Sequence, residues 1–365
     1  KQYEKAYLAW VRFLPQAIGD QSAAYTMMNR NKRGSALDLK KAGGKAVLRR
    51  LLASADVLIE NYRKGTMEKL GFAYESLRQD NPGLIYCAIS GFGRTGPYAG
   101  RGGFDLIAQG MSGLMSVTGE APGRPPVKVG PPVTDITAGI LAALGIVSAY
   151  ARRLQTGQGQ MVDTSLFEAG IVHTYWQSAI CLATGVPPGP MGSAHPLNAP
   201  YQAFPTSDGW ITVGAANQAN WSRLLEVIEA PELAADPRFL DNAGRMQHSA
   251  VLTPLLDAKF RRRNTADWME LLEAARVPSG PVLNVAEMQA DPQTLARGMI
   301  TEVTHSSPGP VQTIGLPIKF SNTPGSLRRG APLLSEHARE ILAEHGFAAG
   351  EIDRLAAEGA VKLGA

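Results

Sequence analysis

Two short apolar runs constrain the fold of this chain more than any other feature. They are "DVLIEN" at residues 56–61 and "LIYCAIS" at residues 84–90, and mostly helical sequence with one break lies between them. Buried strands joined through a helix form a βαβ unit, so we expect a parallel sheet and a fold of the α/β class. Ligands bind outside the carboxyl ends of such strands. The sequence therefore places Asn61, Tyr62 and the loop after Ser90 where a ligand is expected.

The pattern changes in the middle of the chain. A long apolar helix is predicted at residues 135–157, and a short strand followed by a second apolar helix extends to residue 185. The Gly/Pro/Asn-rich residues 184–200 are typical of a linker. The alternating sequence "YQAFPTSDGWITVGAAN" predicts two strands around an Asp-Gly turn, and amphipathic helices follow it. We interpret this later part as a smaller α+β domain that is followed by a helical tail.

Composition limits the classes of function. With 365 residues, 44% of them hydrophobic, the chain is long enough for about two domains and a sizeable core. It has no run of about 18 apolar residues and no signal-peptide pattern, so we expect no membrane-spanning segment. Cys87 and Cys181 lie in apolar runs and are predicted to be free buried thiols in a reducing compartment, the cytoplasm.

Charge is a weaker guide to the partner. The net charge is +4, and the two basic clusters, at residues 30–33 and 259–264, are not interleaved with aromatic residues. Nucleic-acid binding is therefore not favoured. A phosphate-bearing small molecule fits the same mildly basic balance.

The glycine-rich sequence "GFGRTG" at residues 91–96 matches the pattern of a dinucleotide-binding turn. Pro97 and the glycines after it do not open a helix, so no helix N-terminus is available for a pyrophosphate. A loop that closes over a ligand at the strand ends is the better interpretation. The six histidines show no metal-binding spacing, so no metal site is predicted. We interpret His173 as a hydrogen-bonded core residue and His195 as the one histidine with a candidate functional role.

Asp135 is the one charged residue of "VGPPVTDITAGILAAL", and an apolar helix is predicted to follow it. It suits a helix N-cap, which is worth about 1 kcal/mol. It also suits a nucleophile, because the rigid "GPP" segment and the apolar helix would hold an ionised carboxylate at a dry boundary. Asp163 in "GQMVDTSLFEAG" has the same local pattern. The residues alone therefore leave open both the role and the choice between the two aspartates.

Four segments, in this order, carry a resemblance to a known family: "NRNKRGSALDLKKAGGKAVLRRLLASADVLIENYRKGTMEKLGF", "SGFGRTGPYAGRGGFDLIAQGMSG", "PPVTDITAGILAALGIVSAYARRLQTGQGQMVDTSLFEA" and "PYQAFPTSDGWITVGAAN". The chain resembles the family III CoA-transferases (the CaiB/BaiF family, which includes formyl-CoA transferase) from about residue 25 to residue 345. The segment "MGSAHPLNAPYQAF" is most similar to members that move CoA among dicarboxylic acids such as succinate and glutarate.

The resemblance implies an architecture. A Rossmann-like large domain with a parallel sheet is expected at residues 1–195, and a small α+β domain at 196–300. Residues 301–365 are expected to return to the large domain. Two subunits are expected to interlock as a homodimer, with no membrane or nucleic-acid partner.

The resemblance also implies a reaction, and it selects Asp135 over Asp163. CoA is expected to move from an acyl-CoA to a free carboxylic acid by a ping-pong route. The Asp135 carboxylate would attack the thioester to form a mixed anhydride, and the released thiolate would then form an aspartyl-CoA thioester. CoA and acyl-CoA are substrates in this scheme, and no permanently bound cofactor is implied.

By position, the resemblance implies CoA contacts for Leu37, Asn61, Tyr62, Lys69, Arg101 and Phe104. Lys69 stands where relatives carry an Arg that meets a CoA phosphate, so it keeps the charge but loses the bidentate geometry. Without the resemblance, the aromatic residues of this set would be read as ordinary packing and the basic residues as solvated charges.

Two departures from the family pattern matter. Relatives begin with a strand and a helix whose Arg lies near the adenine, and no such segment is recognised here, so no adenine contact is assigned. The α-methylacyl-CoA racemases of the same fold carry a His at the position of Phe104 and a Glu near Ala203. Phe and Ala cannot exchange an α-proton. A racemase-type epimerase and a non-catalytic acyl-CoA-binding relative remain as the alternatives.

Overall fold

The computed structural model describes residues 17–18 and 21–364. Its strands are β1 (Ala17–Ile18), β2 (Gln21–Ser22), β3 (Ala36–Leu37), β4 (Val57–Glu60), β5 (Ile85–Ser90), β6 (Met161–Ser165), β7 (Tyr201–Pro205), β8 (Trp210–Gly214), β9 (Ser279–Pro281), β10 (Ile300–His305), β11 (Gly309–Ile314) and β12 (Val361–Lys362). Its helices are α1 (Ala23–Met28), α2 (Ala42–Leu52), α3 (Thr66–Leu70), α4 (Tyr74–Asp80), α5 (Asp105–Met111), α6 (Leu114–Val117), α7 (Val133–Thr156), α8 (Leu166–Val172), α9 (Tyr175–Thr184), α10 (Gln218–Val227), α11 (Pro231–Ala235), α12 (Asn242–Gln247), α13 (Ser249–Phe260), α14 (Thr265–Ala274), α15 (Val285–Ala290), α16 (Pro292–Ala296), α17 (Ala338–Glu344) and α18 (Ala349–Ala357).

Packing divides the chain into two compact units. Unit 1 contains the described residues up to Gly102, Ala138–Ser165 and the described residues from Val285 onward, so early and late parts of the chain both contribute to it. Unit 2 contains Gly103–Thr137 and Leu166–Asn284. Residues 103–137 and 166–195, which the sequence analysis assigns to the large domain, thus group with the later residues of unit 2. Residues 285–300, assigned there to the small domain, group with unit 1.

A parallel sheet of order β4-β5-β6 forms the centre of unit 1. Val57 pairs with Ile85 and Tyr86 with Met161, both in parallel register. Residues 85–88 of β5 are buried, because the central strand of a parallel sheet is covered on both faces. The predicted βαβ unit and α/β class are confirmed, and each of the two strands lies within its predicted run.

Two further strand pairs and two apolar clusters complete unit 1. The pairs β3–β12 and β10–β11 are antiparallel. One cluster packs under the parallel sheet and includes Phe72, Leu84 and Tyr86. The other packs α2 against the C-terminal helices and is centred on Val47 and Leu342.

Unit 2 has its own core and an antiparallel sheet of order β7-β8-β9. Strands β7 and β8 are the predicted pair around the Asp-Gly turn, with Phe204 opposite Ile211. Helices α10, α13 and α14 cover this sheet with a fully apolar cluster that includes Trp221, Phe260 and Trp268. The short strand β9 adds to the sheet from a distant part of the sequence.

The apolar helices differ from their predicted bounds in two places. Helix α7 begins at Val133, two residues before the predicted start, and Gly157 ends it in the left-handed region with φ of 70°. The second predicted helix is divided into α8 and α9. The division falls at Thr174, whose hydroxyl donates to the Ile171 carbonyl oxygen, a local hydrogen bond that competes with a continuous helix.

Within the described residues, α7 is the one helix long and apolar enough to cross a membrane by length and composition. Its most apolar part has a mean hydropathy of 1.6, and only 22% of that part is buried. Gly145 of this helix packs closely on Val162 of β6, and Arg153 hydrogen-bonds Asp56 at 2.6 Å. The same helix therefore packs on the sheet of unit 1 while much of its apolar surface stays exposed.

Candidate active site

The carboxyl ends of β4 and β5 meet at one edge of the parallel sheet. Asn61 and Tyr62 follow β4 directly, and both side chains are exposed. The Tyr62 backbone N–H donates to Oε2 of Glu60 at 2.7 Å. Both residues thus lie at the strand end where the sequence analysis expects a ligand, although their predicted contact with CoA stays a prediction.

The glycine-rich loop at residues 91–96 is tied across this edge by Arg94. Its guanidinium donates to Oε1 of Glu60 at 3.0 Å and also to Glu68, and its backbone N–H donates to Oδ2 of Asp163 at 3.1 Å. Residues 91–104 are not helical, so the loop lacks the helix N-terminus of a dinucleotide site. Arg94 is consequently an anchor of the loop.

Glu60 is the buried centre of this group, with a side chain only 2% exposed. The Tyr86 hydroxyl donates to it at 3.3 Å, and burial followed by the charge of Glu60 raises the pKa of Tyr86. Neither Glu60 nor Arg94 is among the site residues predicted from sequence. The signal for Glu60 was present, because it is the one ionisable side chain inside the apolar run of β4.

The other predicted CoA contacts are dispersed. Leu37 is half-buried in β3, opposite Val361, and packs on the second apolar cluster of unit 1. Lys69 is exposed in the last turn of α3, and the guanidinium of exposed Arg101 lies 4.0 Å from the Tyr98 ring centre. Phe104 is 77% exposed and belongs to unit 2, whereas the other five belong to unit 1. The CoA roles of all six residues stay predictions.

Asp135 is the third residue of α7, so it lies inside the first turn of the helix. The N-cap interpretation is therefore wrong. The cap comes from another element: the backbone N–H and the hydroxyl of Thr134 both donate to Oδ1 of Asp105, at 3.0 Å and 2.8 Å. Asp135 is left exposed and without a capping role.

A second layer holds the capping carboxylate in place. Nε2 of Gln109 donates to Oδ2 of Asp105 at 2.7 Å, and Oε1 of Gln109 accepts from the Val129 N–H at 2.8 Å. Gln109 and Thr134 are both fully buried. We call Asp105, Gln109, Thr134 and Val129 the clamp. It ties α5, the segment before α7 and the first turn of α7 together within unit 2.

The clamp leaves Asp135 in an unusual electrostatic position. Partial removal of water, and secondarily the negative charge of Asp105, raise the pKa of the Asp135 carboxyl above its ordinary 3.8. The N-terminus of α7 acts in the opposite direction and favours the ionised form by about 0.3–1 kcal/mol. Because the net direction is upward, Asp135 is a more basic carboxylate than an ordinary aspartate, which suits a nucleophile.

Asp163 lies in a different environment. It is exposed on β6, and its carboxylate accepts the backbone N–H of Arg94 in the glycine-rich loop. This contact gives it a structural partner in unit 1. The two aspartates that the sequence pattern could not separate thus differ in their surroundings.

Unit 2 contains a cavity of about 570 Å³ beside the predicted linker. His195, Tyr201, Gln202, Thr212 and Ser279 are among its lining residues. Nδ1 of His195 accepts the Leu197 N–H at 3.1 Å, and the Trp176 and Tyr201 rings flank the imidazole. His173, predicted to be a core residue, is exposed, and its Nε2 lies 2.7 Å from the Thr137 hydroxyl.

Thiols and metals add little to the site. Cys87 and Cys181 are free, and burial raises the pKa of Cys87 to about 11, so its reactive thiolate is suppressed. Cys181 is only half-buried, in contrast to its prediction, because α9 exposes much of its surface. No cluster of three or more metal-ligating side chains occurs in residues 17–18 and 21–364.

Comparison with known proteins decides the family. The model of a family described as CoA-transferase family III matches residues 4–338. The chain belongs to the family III CoA-transferases. The predicted family and the predicted enzyme class are confirmed.

Similar proteins of known name are CoA-transferases as well. A succinate–glutarate CoA-transferase from Agrobacterium fabrum is 38% identical over 334 residues, which are 91% of this chain and 83% of that protein. An acetyl-CoA:oxalate CoA-transferase from Acetobacter aceti is 39% identical over 336 residues, or 92% and 84%. The succinyl-CoA:glutarate CoA-transferase of Homo sapiens is 33% identical over 330 residues, or 90% and 75%.

The fold agrees with this assignment. The crystal structure of a CaiB/BaiF family protein from Brucella suis is similar to this transferase with a TM-score of 0.82 and 40% sequence identity. The match covers 93% of this chain and 89% of that one.

Proposed function

We propose that this transferase moves CoA from an acyl-CoA to a free dicarboxylic acid and that Asp135 is its nucleophile. Relatives named for succinate, glutarate and oxalate support the substrate class. The observation that carries the role of Asp135 is its placement: an exposed carboxylate with a raised pKa, in a helical turn that a separate residue caps.

The reaction proceeds by exchange of acyl partners without redox change. A carboxylate oxygen of Asp135 attacks the thioester carbonyl carbon, and the C–S bond breaks. The CoA thiolate departs, and an acyl-aspartyl anhydride remains on the enzyme. The thiolate attacks the aspartyl carbonyl, which releases the first acid as its carboxylate and forms an aspartyl-CoA thioester. The acceptor carboxylate attacks that thioester to give a new anhydride and free thiolate. Attack of the thiolate on the acceptor's acyl carbon yields the new acyl-CoA and restores Asp135.

The proposal places CoA at the sheet edge of unit 1. Asn61 and Tyr62 would contact it at the end of β4, where α/β folds bind ligands. The exposed charges of Lys69 and Arg101 suit its phosphates. Phe104 is exposed and belongs to unit 2, so this edge gives no support to its predicted CoA contact. Leu37 is the weakest member of the set, because packing already accounts for its half-burial.

We also propose a cytoplasmic homodimer. Ile140, Leu144, Val147 and Leu154 of α7 are each more than 60% exposed and recur at helical spacing. An exposed apolar stripe of this kind is typical of a surface that another molecule covers. A second copy suits it better than a lipid bilayer, because the other side of α7 packs on the sheet of unit 1 through Gly145 and Arg153.

Trapping of the covalent intermediate tests the proposal. The wild type is incubated with succinyl-CoA, or with acetyl-CoA as a second donor, without an acceptor acid. We expect an intact-mass increase from covalent CoA or acyl attachment, which borohydride reduction or hydroxylamine then maps to the peptide containing Asp135. Asp135→Asn should show no adduct and should lose CoA exchange by about a thousand-fold or more.

Asp163→Asn is the matched control and should still form the adduct. Exchange activity retained by Asp135→Asn, or an adduct that maps to another residue, would refute the role of Asp135. Absence of CoA exchange with every dicarboxylate tested, together with exchange on a monocarboxylate, would refute the substrate class.

A further inference from the structure

The residue that caps α7 is itself charged, and its charge is held next to the proposed nucleophile. Asp105 accepts hydrogen bonds from the Thr134 N–H, the Thr134 hydroxyl and Nε2 of Gln109. Three donors to one carboxyl group are the arrangement of an ionised carboxylate, which accepts only. Thr134 is fully buried and directly precedes Asp135, so Asp105 holds the residue next to the proposed nucleophile.

We propose that Asp105 is a positioning residue whose fixed negative charge drives the acylation of Asp135. This inference rests on the proposed function, in which Asp135 is the nucleophile. The clamp sets the rotation of the first turn of α7, and the charge of Asp105 destabilises the free Asp135 carboxylate.

The charge balance of the reaction gives Asp105 its effect. A free Asp135 carboxylate and Asp105 repel each other. When Asp135 becomes an anhydride or a thioester, its charge passes to the departing thiolate or acid, and the repulsion in the turn is relieved. Asp105 thus raises the energy of the free enzyme relative to the covalent intermediate. Acylation is accelerated only by an interaction whose energy differs between the free enzyme and the state in which Asp135 is being acylated.

Other ionisable side chains lie on the elements around this turn, among them Glu168 of α8, the helix whose Gly170 packs against Thr134. His173 on the segment after α8 faces Thr137, which lies two residues after Asp135. Lys128 lies on the segment before α7, where its ammonium donates to the Val129 and Gly130 carbonyl oxygens. Of these groups, Asp105 is the one whose negative charge, after desolvation, raises the pKa of Asp135, which is the direction that the proposal requires.

The test compares removal of the charge with removal of the clamp. Asp105→Asn and Asp105→Ser both remove the charge. Asp105→Ser is included because the amide N–H₂ introduced by Asp105→Asn would face Nε2 of Gln109, which is also a donor. Gln109→Leu breaks the clamp and leaves the charge of Asp105. Thermal unfolding is recorded for each variant. The readouts are the pH dependence of single-turnover adduct formation from succinyl-CoA and the ratio of adduct to free enzyme.

For the two Asp105 variants we expect the acid limb of the pH profile to move down by roughly half a pH unit, as for loss of a nearby like charge in partial contact with water. The adduct ratio should fall by about threefold, the equivalent of that shift. Gln109→Leu should lower the rate but keep the wild-type limb. An unshifted limb in the folded Asp105 variants, or an equal shift in Gln109→Leu, would overturn the inference.

The outcome for the wild type separates this inference from the proposed function. If the wild type forms no adduct at Asp135, the proposed function fails. If it forms the adduct and the Asp105 variants have wild-type profiles, only the role of Asp105 fails.

Discussion

Asp135, the proposed nucleophile, is held in place by residues that take no covalent part in the proposed reaction. It lies in the first turn of α7, where Asp105 provides the cap and also contributes to the raised pKa of Asp135. A catalytic carboxylate that also capped its own helix would lose that hydrogen bond on acylation. Separation of the two tasks avoids this cost, which is about 0.5–2 kcal/mol for a lost cap.

The pH dependence of acylation should report this environment. As the pH falls through the pKa of Asp135, the carboxylate gains a proton and loses nucleophilicity, so adduct formation slows. Because that pKa is raised, half of the rate should be lost at a pH above 3.8, the ordinary value. Rapid-quench measurements of the wild type over a falling pH series check this. A rate that stays constant down to 3.8 would contradict it.

Gly170 of α8 should be intolerant of any side chain. A Cβ there would lie 2.7 Å from Cβ of Ser112 and 3.4 Å from Cγ2 of Thr134, next to the clamp. We expect Gly170→Ala to lower the free energy of unfolding by about 1–3 kcal/mol, since a packed interior resists an added methyl group. Urea denaturation measures the change.

Gly350 in α18 is the matched control, because nothing lies within 4 Å of a Cβ at that position. Gly350→Ala should raise stability by about 0.5–1 kcal/mol through its better helix propensity. Equal effects of the two substitutions would show that the contact with Ser112 is not limiting.

From the residues alone Asp135 could be recognised as a candidate, together with Asp163, and only the family resemblance selected it. Its neighbours could not be recognised in this way. The cap from Asp105 spans 29 residues of sequence, and Gln109 joins Val129 across 20 residues. Such hydrogen bonds depend on how α5 packs in unit 2, and no local pattern encodes them.

Secondary-structure elements fix the glycine-rich loop more firmly than its composition indicates. Arg94 joins the loop to β4, α3 and β6 through Glu60, Glu68 and Asp163. At this level the loop is a tether across three elements. Its glycines supply the backbone freedom for the turn, with positive φ at Gly93 and Gly96.

Loss of this tether should be costly. Arg94→Met leaves the buried Glu60 carboxylate without its cation, so we expect a decrease of about 3 kcal/mol in the free energy of unfolding. Arg78→Met removes an exposed ion pair with Glu75 and should change stability by about 1 kcal/mol or less. Chemical denaturation compares the two. Equal, small losses would show that Glu60 is solvated on loss of Arg94.

Elements with strong periodicity were the predictable ones. Strands β4 and β5 lie within their predicted apolar runs, since burial on both faces leaves a clear sequence signal. The start of α7 was misplaced, because its cap is not a neighbour in sequence. The pair β3–β12 was not predicted at all, as two-residue strands carry no periodicity and their partners lie at opposite ends of the sequence.

At the scale of the whole molecule, the exposed stripe of α7 is the surface through which we propose that this transferase forms a homodimer. We expect the wild type to be a dimer by light scattering coupled to size-exclusion chromatography. Leu144→Asp and Val147→Asp should each convert it to monomer or lower its apparent mass, because a charge would be buried in an apolar contact. Val251→Asp, at an exposed apolar residue outside α7, is the matched control.

Two outcomes would contradict the dimer. A wild type that stays monomeric at micromolar concentration leaves the stripe uncovered by a second copy. Binding of the wild type to lipid vesicles that Leu144→Asp abolishes would assign the stripe to a membrane, which the length and composition of α7 permit.

The two-unit organisation was only partly readable from sequence. The change from buried runs to alternating strands near residue 200 marked the second unit. Residues 103–137 belong to unit 2, but their sequence does not differ in character from that of unit 1, because both units contain apolar helices. Their assignment depends on packing partners far along the chain.

The segments of the two units alternate along the sequence, and this order affects how the protein folds during synthesis. On the ribosome, Ala36–Leu37 emerge long before Val361–Lys362, the strand with which they pair. Val47 likewise emerges long before Leu342, which belongs to the same apolar cluster. Closure of such distant contacts makes folding slow. Apolar surface that packs in the interior therefore stays uncovered until residues 342–362 have been synthesised, and the demand for chaperones in recombinant expression should be high.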